Sequence, residues 1–292
     1  MSTSRRDFLR ISGALTVAGL ASDSLFASVF NNEPEFKKIK KIGLQLYTLR
    51  DVLPKDPKGV LKQVASFGYK QIESYEGAQG IFWGMSNTDF KKYMDDLGMT
   101  IISSHCDMNK DFEKKAEEAA AIGMKYLICP YLGAQKTLDD YKKFATTFNQ
   151  KGEICRKNGI RFAYHNHDYS FKELEGQLPQ DVMMSIADPN LVDFELDIYW
   201  VVVAGQDPEA WFNKYPNRFR LCHAKDRTKN PVADNGKNSV ELGTGVIDWP
   251  KVLKTAKKNG MEYYIVEQEA YPNGTSLEAV KVNAAYMKSL KI

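Results

Sequence analysis

The chain has 292 residues, 43% of them hydrophobic, with 40 Lys and Arg against 37 Asp and Glu and a formal net charge of +3. That size and apolar content suit one large globular domain, and single α/β barrels commonly reach it. Charge so nearly balanced gives no electrostatic bias toward nucleic acid or an anionic membrane surface.

In chain order, the first feature is Ser4-Arg5-Arg6-Asp7-Phe8-Leu9-Arg10, a twin-arginine pattern followed by a mildly apolar stretch from Ile11 to Ala21. The stretch is too short, and too often broken by Gly and Ser, to span a bilayer. Residues 1–27 are therefore expected to be a twin-arginine export leader cleaved near Ala27, residues 28–40 a linker, and residues 41–292 the folded domain. No cysteine follows the leader, which argues against a lipoprotein anchor, and a periplasmic location is expected. That route carries folded proteins, often around a cofactor, into an oxidising compartment where disulfides become possible. Even so, Cys106, Cys129, Cys155 and Cys222 follow no zinc or disulfide spacing and read as buried free thiols.

The rest of the chain repeats one unit: an amphipathic helix, a glycine, then a short apolar run. SFGYKQIESY, DLGMTIISSHC, AIGMKYLICPY, KNGIRFAYHNH and KNGMEYYIVEQE share it. The glycine suits the left-handed residue that ends a helix, and the run after it suits a buried parallel strand. IGLQLYT, VDFELDIYW and FRLCHAKD bring the strands to eight. Helices are predicted at Pro57 to Phe67, Asp89 to Leu97, Phe112 to Ile122, Leu138 to Asn158, Asp207 to Tyr215, Asp248 to Asn259 and Ser276 to Leu290. Asp207-Pro208 and Asp248-Trp249-Pro250 read as helix starts, an acid near the cap and proline in the first turn. Eight alternating β and α units predict a (β/α)8 TIM barrel. A doubly wound sheet is disfavoured because no Gly-rich phosphate loop follows the first strand.

All four histidines fall at the ends of these strands: His105, His165, His167 and His223, with Asp197 and Glu267 ending two more. Imidazoles and carboxylates are the usual N and O ligands of divalent ions, and the C-terminal ends of barrel strands are where active sites lie. Period-two alternation puts His165 and His167 on one face, and Asp193, Glu195 and Asp197 on another, with Glu195 one layer beneath Asp197. Each residue alone has a simpler reading: a hydrogen-bonded core histidine, a helix cap, an interior ion pair. Their joint position at one end of the barrel points to a metal site.

LDIYW, HAKD, ELGTGVIDW, YYIVEQE and the YHNH strand resemble the xylose isomerase-like barrel superfamily, often called sugar phosphate isomerase/epimerase, from about Lys41 to the C-terminus. The resemblance implies one divalent ion, manganese first with cobalt or zinc as alternatives, held by residues from the fifth to eighth strands. Asp197, His223 and Glu267 match three ligands. The first departs from the family pattern: His165, in Tyr164-His165-Asn166-His167, stands where many relatives carry glutamate. Alternation leaves His165 and His167 both open, and alignment favours His165, with His167 toward substrate. The implied chemistry is metal-assisted proton abstraction beside a sugar carbonyl, ending in isomerisation or epimerisation, or in β-elimination from a 3-keto-glycoside. Glu267, His167 and Lys225 are the candidate proton carriers or oxyanion partners, since a symmetric pair of glutamates is missing. Gln45, Glu73 and His105 are candidates to bond substrate, with Tyr47, Phe82, Trp83 and Trp200 candidate stacking faces. A small carbohydrate is the expected partner, with no nucleic acid and no stable membrane anchor; related barrels often pair, so a homo-oligomer is compatible. A non-catalytic sugar-binding barrel is the rival from another class, and a three-zinc DNA-cleaving barrel is disfavoured by the scarcity of histidine.

Overall fold

A computed structural model describes residues 38–232 and 237–292. The predicted leader, and the part of the predicted linker before residue 38, lie outside the described residues. Eight parallel strands close into a barrel: β1 (Gly43–Gln45), β2 (Gln71–Tyr75), β3 (Thr100–His105), β4 (Tyr126–Cys129), β5 (Arg161–His165), β6 (Val192–Asp197), β7 (Phe219–Ala224) and, eighth in the ring, β10 (Tyr263–Val266). Each strand pairs with the next in sequence, and β1 pairs β10 to seal the ring. Two further strands, β8 (Asp226–Arg227) and β9 (Ser239–Val240), form an antiparallel ribbon above the end of β7.

The repeated helix-glycine-strand unit has the expected cause. Gly68 and Gly159 end their helices at φ +100° and +77°, a region costly for any residue with a Cβ. All seven predicted helices form to within two residues of their expected ends. Asp207 and Asp248 cap theirs, accepting from Glu209 N and Lys251 N, with proline in the first turn. Two helices were not anticipated, Pro179–Ile186 and Ile198–Val203. The second corrects the tail of the predicted strand VDFELDIYW: Asp197 ends β6 and its side chain accepts from Trp200 N, which turns the β-prone run IYWVVV into a helical turn.

The main core lies between the ring and its helices, where Trp249, Tyr141, Phe148, Phe162 and Phe194 are fully buried. Inside the ring a separate apolar cluster of Tyr126, Ile128, Ala163, Leu221 and Ile265 fills the barrel. The four cysteines are buried free thiols. Among the described residues no helix is long and apolar enough to cross a membrane.

Two register shifts interrupt the ladder, one at Ile72/Glu73 against β3 and one at Phe194/Glu195 against β7. Irregularities of this kind re-aim side chains in barrels. Both fall beside a glutamate that faces the histidines described next.

Candidate metal centre and active site

The polar groups at the top of the barrel stand in two tiers. In the lower tier, Glu195 Oε2 lies 2.8 Å from His105 Nε2, 3.1 Å from His165 Nδ1 and 3.2 Å from His223 Nε2. Glu73 Oε1 lies 2.7 Å from His223 Nε2 and accepts from Gln45 Nε2 at 2.8 Å, while Ser103 Oγ donates to Glu73 Oε2 at 2.6 Å. Both carboxylates and all three imidazoles are buried. A buried carboxylate needs donors, so the ring nitrogens that face it carry the protons. That assignment leaves His165 Nε2 with a bare lone pair, while His223 Nδ1 faces the Asp197 and Glu267 carboxylates; both nitrogens point to the upper tier.

In the upper tier, Asp197 Oδ2 lies 3.8 Å from His165 Nε2 and 3.6 Å from His223 Nδ1, and Glu267 Oε2 lies 3.1 Å from His223 Nδ1. Asp197, His223 and Glu267 offer ligand atoms all within 4.8 Å of one another. Asn166 fixes the end of β6 by donating to Asp197 O and accepting from Asp197 N. Lys225, fully buried, places Nζ 2.8 Å from Asp197 Oδ2, 3.0 Å from Glu267 Oε2 and 2.7 Å from Glu269 Oε1.

Electrostatics separate the groups. Burial alone would raise Glu267, but the Lys225 ammonium and the His223 imidazole hold it well below the usual carboxylate range. Burial likewise opposes charging His223 and Lys225, and neighbouring carboxylates overcome it, Glu195 and Glu267 for the imidazole, Asp197 and Glu267 for the ammonium. His165 is held well below the usual imidazole value by burial and by its companions His223 and His105. His167 is pushed down to about 4 by burial and by Lys225. Glu195 is pushed up to about 7 by burial and by Glu73, whereas His105, despite burial, is raised to about 9 by Glu73 and Glu195.

These residues suit a divalent ion. His165 Nε2, His223 Nδ1, Asp197 and Glu267 form the mixed N and O set such ions take. With the imidazoles neutral, Asp197, Glu267 and Glu269 against Lys225 leave the upper tier two negative charges in excess, which a divalent cation balances. Glu73 and Glu195 hold the far ring nitrogens, the carboxylate–histidine support that orients metal-binding imidazoles.

A cavity of about 570 Å³ opens above, lined by Tyr47, His105, His165, His167, Glu267 and Glu269 among others. Several sequence expectations are corrected here. Gln45 and Glu73 do not face substrate: both are wholly buried and bonded to each other under the histidines. His105 reaches the cavity but is held by Glu195. Phe82 and Trp83 belong to packing, Phe82 against Phe90 and the Trp83 indole donating to Ser74 Oγ. Trp200 is buried beneath the site, its ring centre 5.1 Å from Lys225 Nζ and 5.1 Å from the His167 ring. Tyr47 does line the cavity, and so does His167, whose Nδ1 has no protein partner. Sequence reasoning passed over Glu269 and Tyr131. Glu269 follows Glu267 by two, and alternation alone would have placed both on one face; Tyr131 lies just past the end of β4 and carries no such signal.

Residues 61–290 match the xylose isomerase-like TIM barrel family. The chain belongs to that family. A solved sugar phosphate isomerase/epimerase from Parabacteroides distasonis is 31% identical to this xylose isomerase-like barrel, over 89% of this chain and 96% of that one, with a TM-score of 0.73. An inosose dehydratase of Lacticaseibacillus casei is 26% identical over 149 residues, 47% of this chain and 49% of that protein. The chain thus spans about half the length of the curated relatives it matches. The IOLI protein, solved with a zinc atom, shares the fold at 16% identity and a TM-score of 0.69, over 84% of this chain and 95% of that one.

Proposed function

We propose that this xylose isomerase-like barrel is a divalent-metal-dependent enzyme that removes a proton beside the carbonyl of a sugar or oxidised sugar, in the manner of a sugar isomerase or epimerase. The observation that carries the reading is the convergence of His165 Nε2, His223 Nδ1, Asp197 and Glu267 at the floor of a cavity. When bound there, the ion supplies Lewis-acid polarisation of the carbonyl. The donor set suits manganese, cobalt or zinc.

The chain's own residues do the rest. Glu267, kept ionised by Lys225 and His223, is ready to accept the proton. Lys225 keeps its ammonium and stands beside Glu267, where it steadies the carboxylate and the negative charge that develops near it. His167, neutral and without a protein partner at Nδ1, faces the cavity as the second carrier. The His167 imidazole is therefore assigned the part that a second glutamate would play in a symmetric reaction. Export by the twin-arginine route to the periplasm is part of the proposal and is supported by Ser4 to Arg10.

A second outcome of the same abstraction is loss of a β-substituent, as from a 3-keto-glycoside. It is favoured by the likeness to inosose dehydratases, a name that denotes removal of water. Incubating the metal-loaded protein with a 3-keto-glucoside in deuterated buffer separates the outcomes. Solvent deuterium in an intact sugar identifies an isomerase or epimerase, and aglycone release identifies a lyase. Ligand binding with neither, unchanged by chelation, identifies a non-catalytic binder and overturns the proposal.

A further inference from the structure

We infer that the site takes an electrically neutral, unphosphorylated sugar carrying a further ring or apolar group, and that it rejects sugar phosphates. The inference rests on the proposed reaction for what happens to the sugar, and on the geometry of wall and loops for which sugar enters.

The wall is acidic. Glu76, Asp107, Glu267 and Glu269 line it, and among the described lining residues Lys110 is the only lysine or arginine. The nearest other cations are committed elsewhere. Lys115 Nζ lies 2.6 Å from Glu76, Lys225 is held by three carboxylates, and Arg50 donates to Tyr47 O, Tyr271 OH and Glu269 O. With a divalent ion balancing the upper tier and Lys115 paired to Glu76, a phosphate entering here would find Lys110 as the one lysine or arginine among the described lining residues to receive it.

The barrel's usual place for a phosphate is filled from within. In this architecture phosphate is commonly cradled by the loops after the seventh and eighth strands, where backbone N–H groups converge. Here the amides of Gly243, Gly245 and Ile247 do converge, and so does the Trp249 indole N–H, but all four donate to the Asp226 carboxylate, at 2.9, 3.1, 3.3 and 3.0 Å. Asp226 is buried, and even a Cβ added at Gly245 would meet its Oδ1 at 2.2 Å. An internal anion occupies the cradle and leaves no room for another.

What the cavity offers instead is an aromatic rim. Tyr47 is 40% exposed and Tyr131 61% exposed, both against the cavity. Tyr131 is braced edge-on against His167 and Tyr169, and Tyr47 against Tyr75. Rigid, uncharged ring faces of this kind hold sugar rings or aryl groups. A cavity of about 570 Å³ is of the size that encloses drug-sized ligands, so there is room for a second ring beyond the one at the metal ligands.

The test is calorimetric titration of the manganese-loaded protein with phenyl β-D-glucoside, glucose and glucose 6-phosphate. The expected order is phenyl glucoside tightest, with glucose 6-phosphate weaker by at least about tenfold. Tyr131→Ala should weaken phenyl glucoside several-fold while leaving glucose nearly unchanged, and Asp107→Lys should narrow the gap to the phosphate. Glucose 6-phosphate binding as tightly as phenyl glucoside, or no binding of any of the three up to their solubility, overturns the inference. The proposed reaction fails separately. Absence of deuterium exchange with this order intact removes the reaction and leaves the inference. Faster exchange into a phosphorylated ketose than into its neutral counterpart removes the inference and leaves the reaction.

Discussion

Asp193 and Asp197 stand on one strand and one face, both buried, yet the two ends of β6 put them to different work. At the lower end Asp193 is saturated: the Arg161 guanidinium donates to both its oxygens and the Tyr126 hydroxyl adds a third bond. At the upper end Asp197 shares one ammonium with Glu267 and Glu269 and faces ring nitrogens of His165 and His223. Charge that is locally balanced holds the barrel shut. Charge left in excess beside a cavity is available to a cation and a substrate. Burial and residue type are alike at the two positions, so the neighbours' surplus or deficit of charge marks the site.

The largest effect should come from breaking the upper end. Asp197→Ala or Glu267→Gln is expected to lower metal-dependent turnover by about a thousandfold or more with far-UV circular dichroism unchanged; full activity in either variant would remove the assignment. Next, Lys225→Met should cost about a hundredfold in kcat while metal content is retained. Loss of metal together with activity would show the lysine to be scaffolding. Glu195→Gln, one layer down, should weaken metal binding by about 10- to 100-fold in a chelator competition, through the imidazoles it orients. At the lower end, Asp193→Asn is expected to destabilise the fold by about 1–3 kcal/mol in denaturant unfolding and leave kcat alone. A change in kcat there would erase the contrast between the ends.

The smallest effect sharpens the contrast between two histidines. His223 is raised, so without metal it holds a second proton until pH climbs past its value, whereas His165 is lowered and already neutral. Metal binding near neutral pH should therefore release about one proton, from His223, and apparent affinity should fall as pH falls. Calorimetry in buffers of different ionisation enthalpy reads this directly; zero release would place the metal away from His223.

The barrel was legible because the helix-glycine-strand unit repeats, and each repeat carries a local cause that survives folding, such as Gly68 in the left-handed region. The strand-end histidines were legible because parallel strands put their C-terminal ends together. What alternation conveys is direction, inward or outward, and it carries no height. Gln45 and Glu73 were therefore read as facing substrate although they lie under the histidines, a level set by register shifts at Glu73 and Glu195 that leave no mark in the residues themselves. The choice between His165 and His167 needed the same missing coordinate: β5 ends at His165, and Asn166 turns aside to bind β6. Helix Pro179–Ile186 was missed because no side chain caps it, leaving Pro179 and the first-turn Asp181 to mark its start.

The seam between β1 and β10 also fixes a sequence of events in time. Glu267 directly follows the strand that closes the ring, so during synthesis it emerges after His165, Asp197 and His223 are already outside the ribosome. Until it arrives, the ring of strands cannot close and the candidate ligand set lacks its fourth member. Capture of an ion by all four groups would thereby be tied to the arrival of β10, and an ion held tightly there would report that the ring-closing strand is in place.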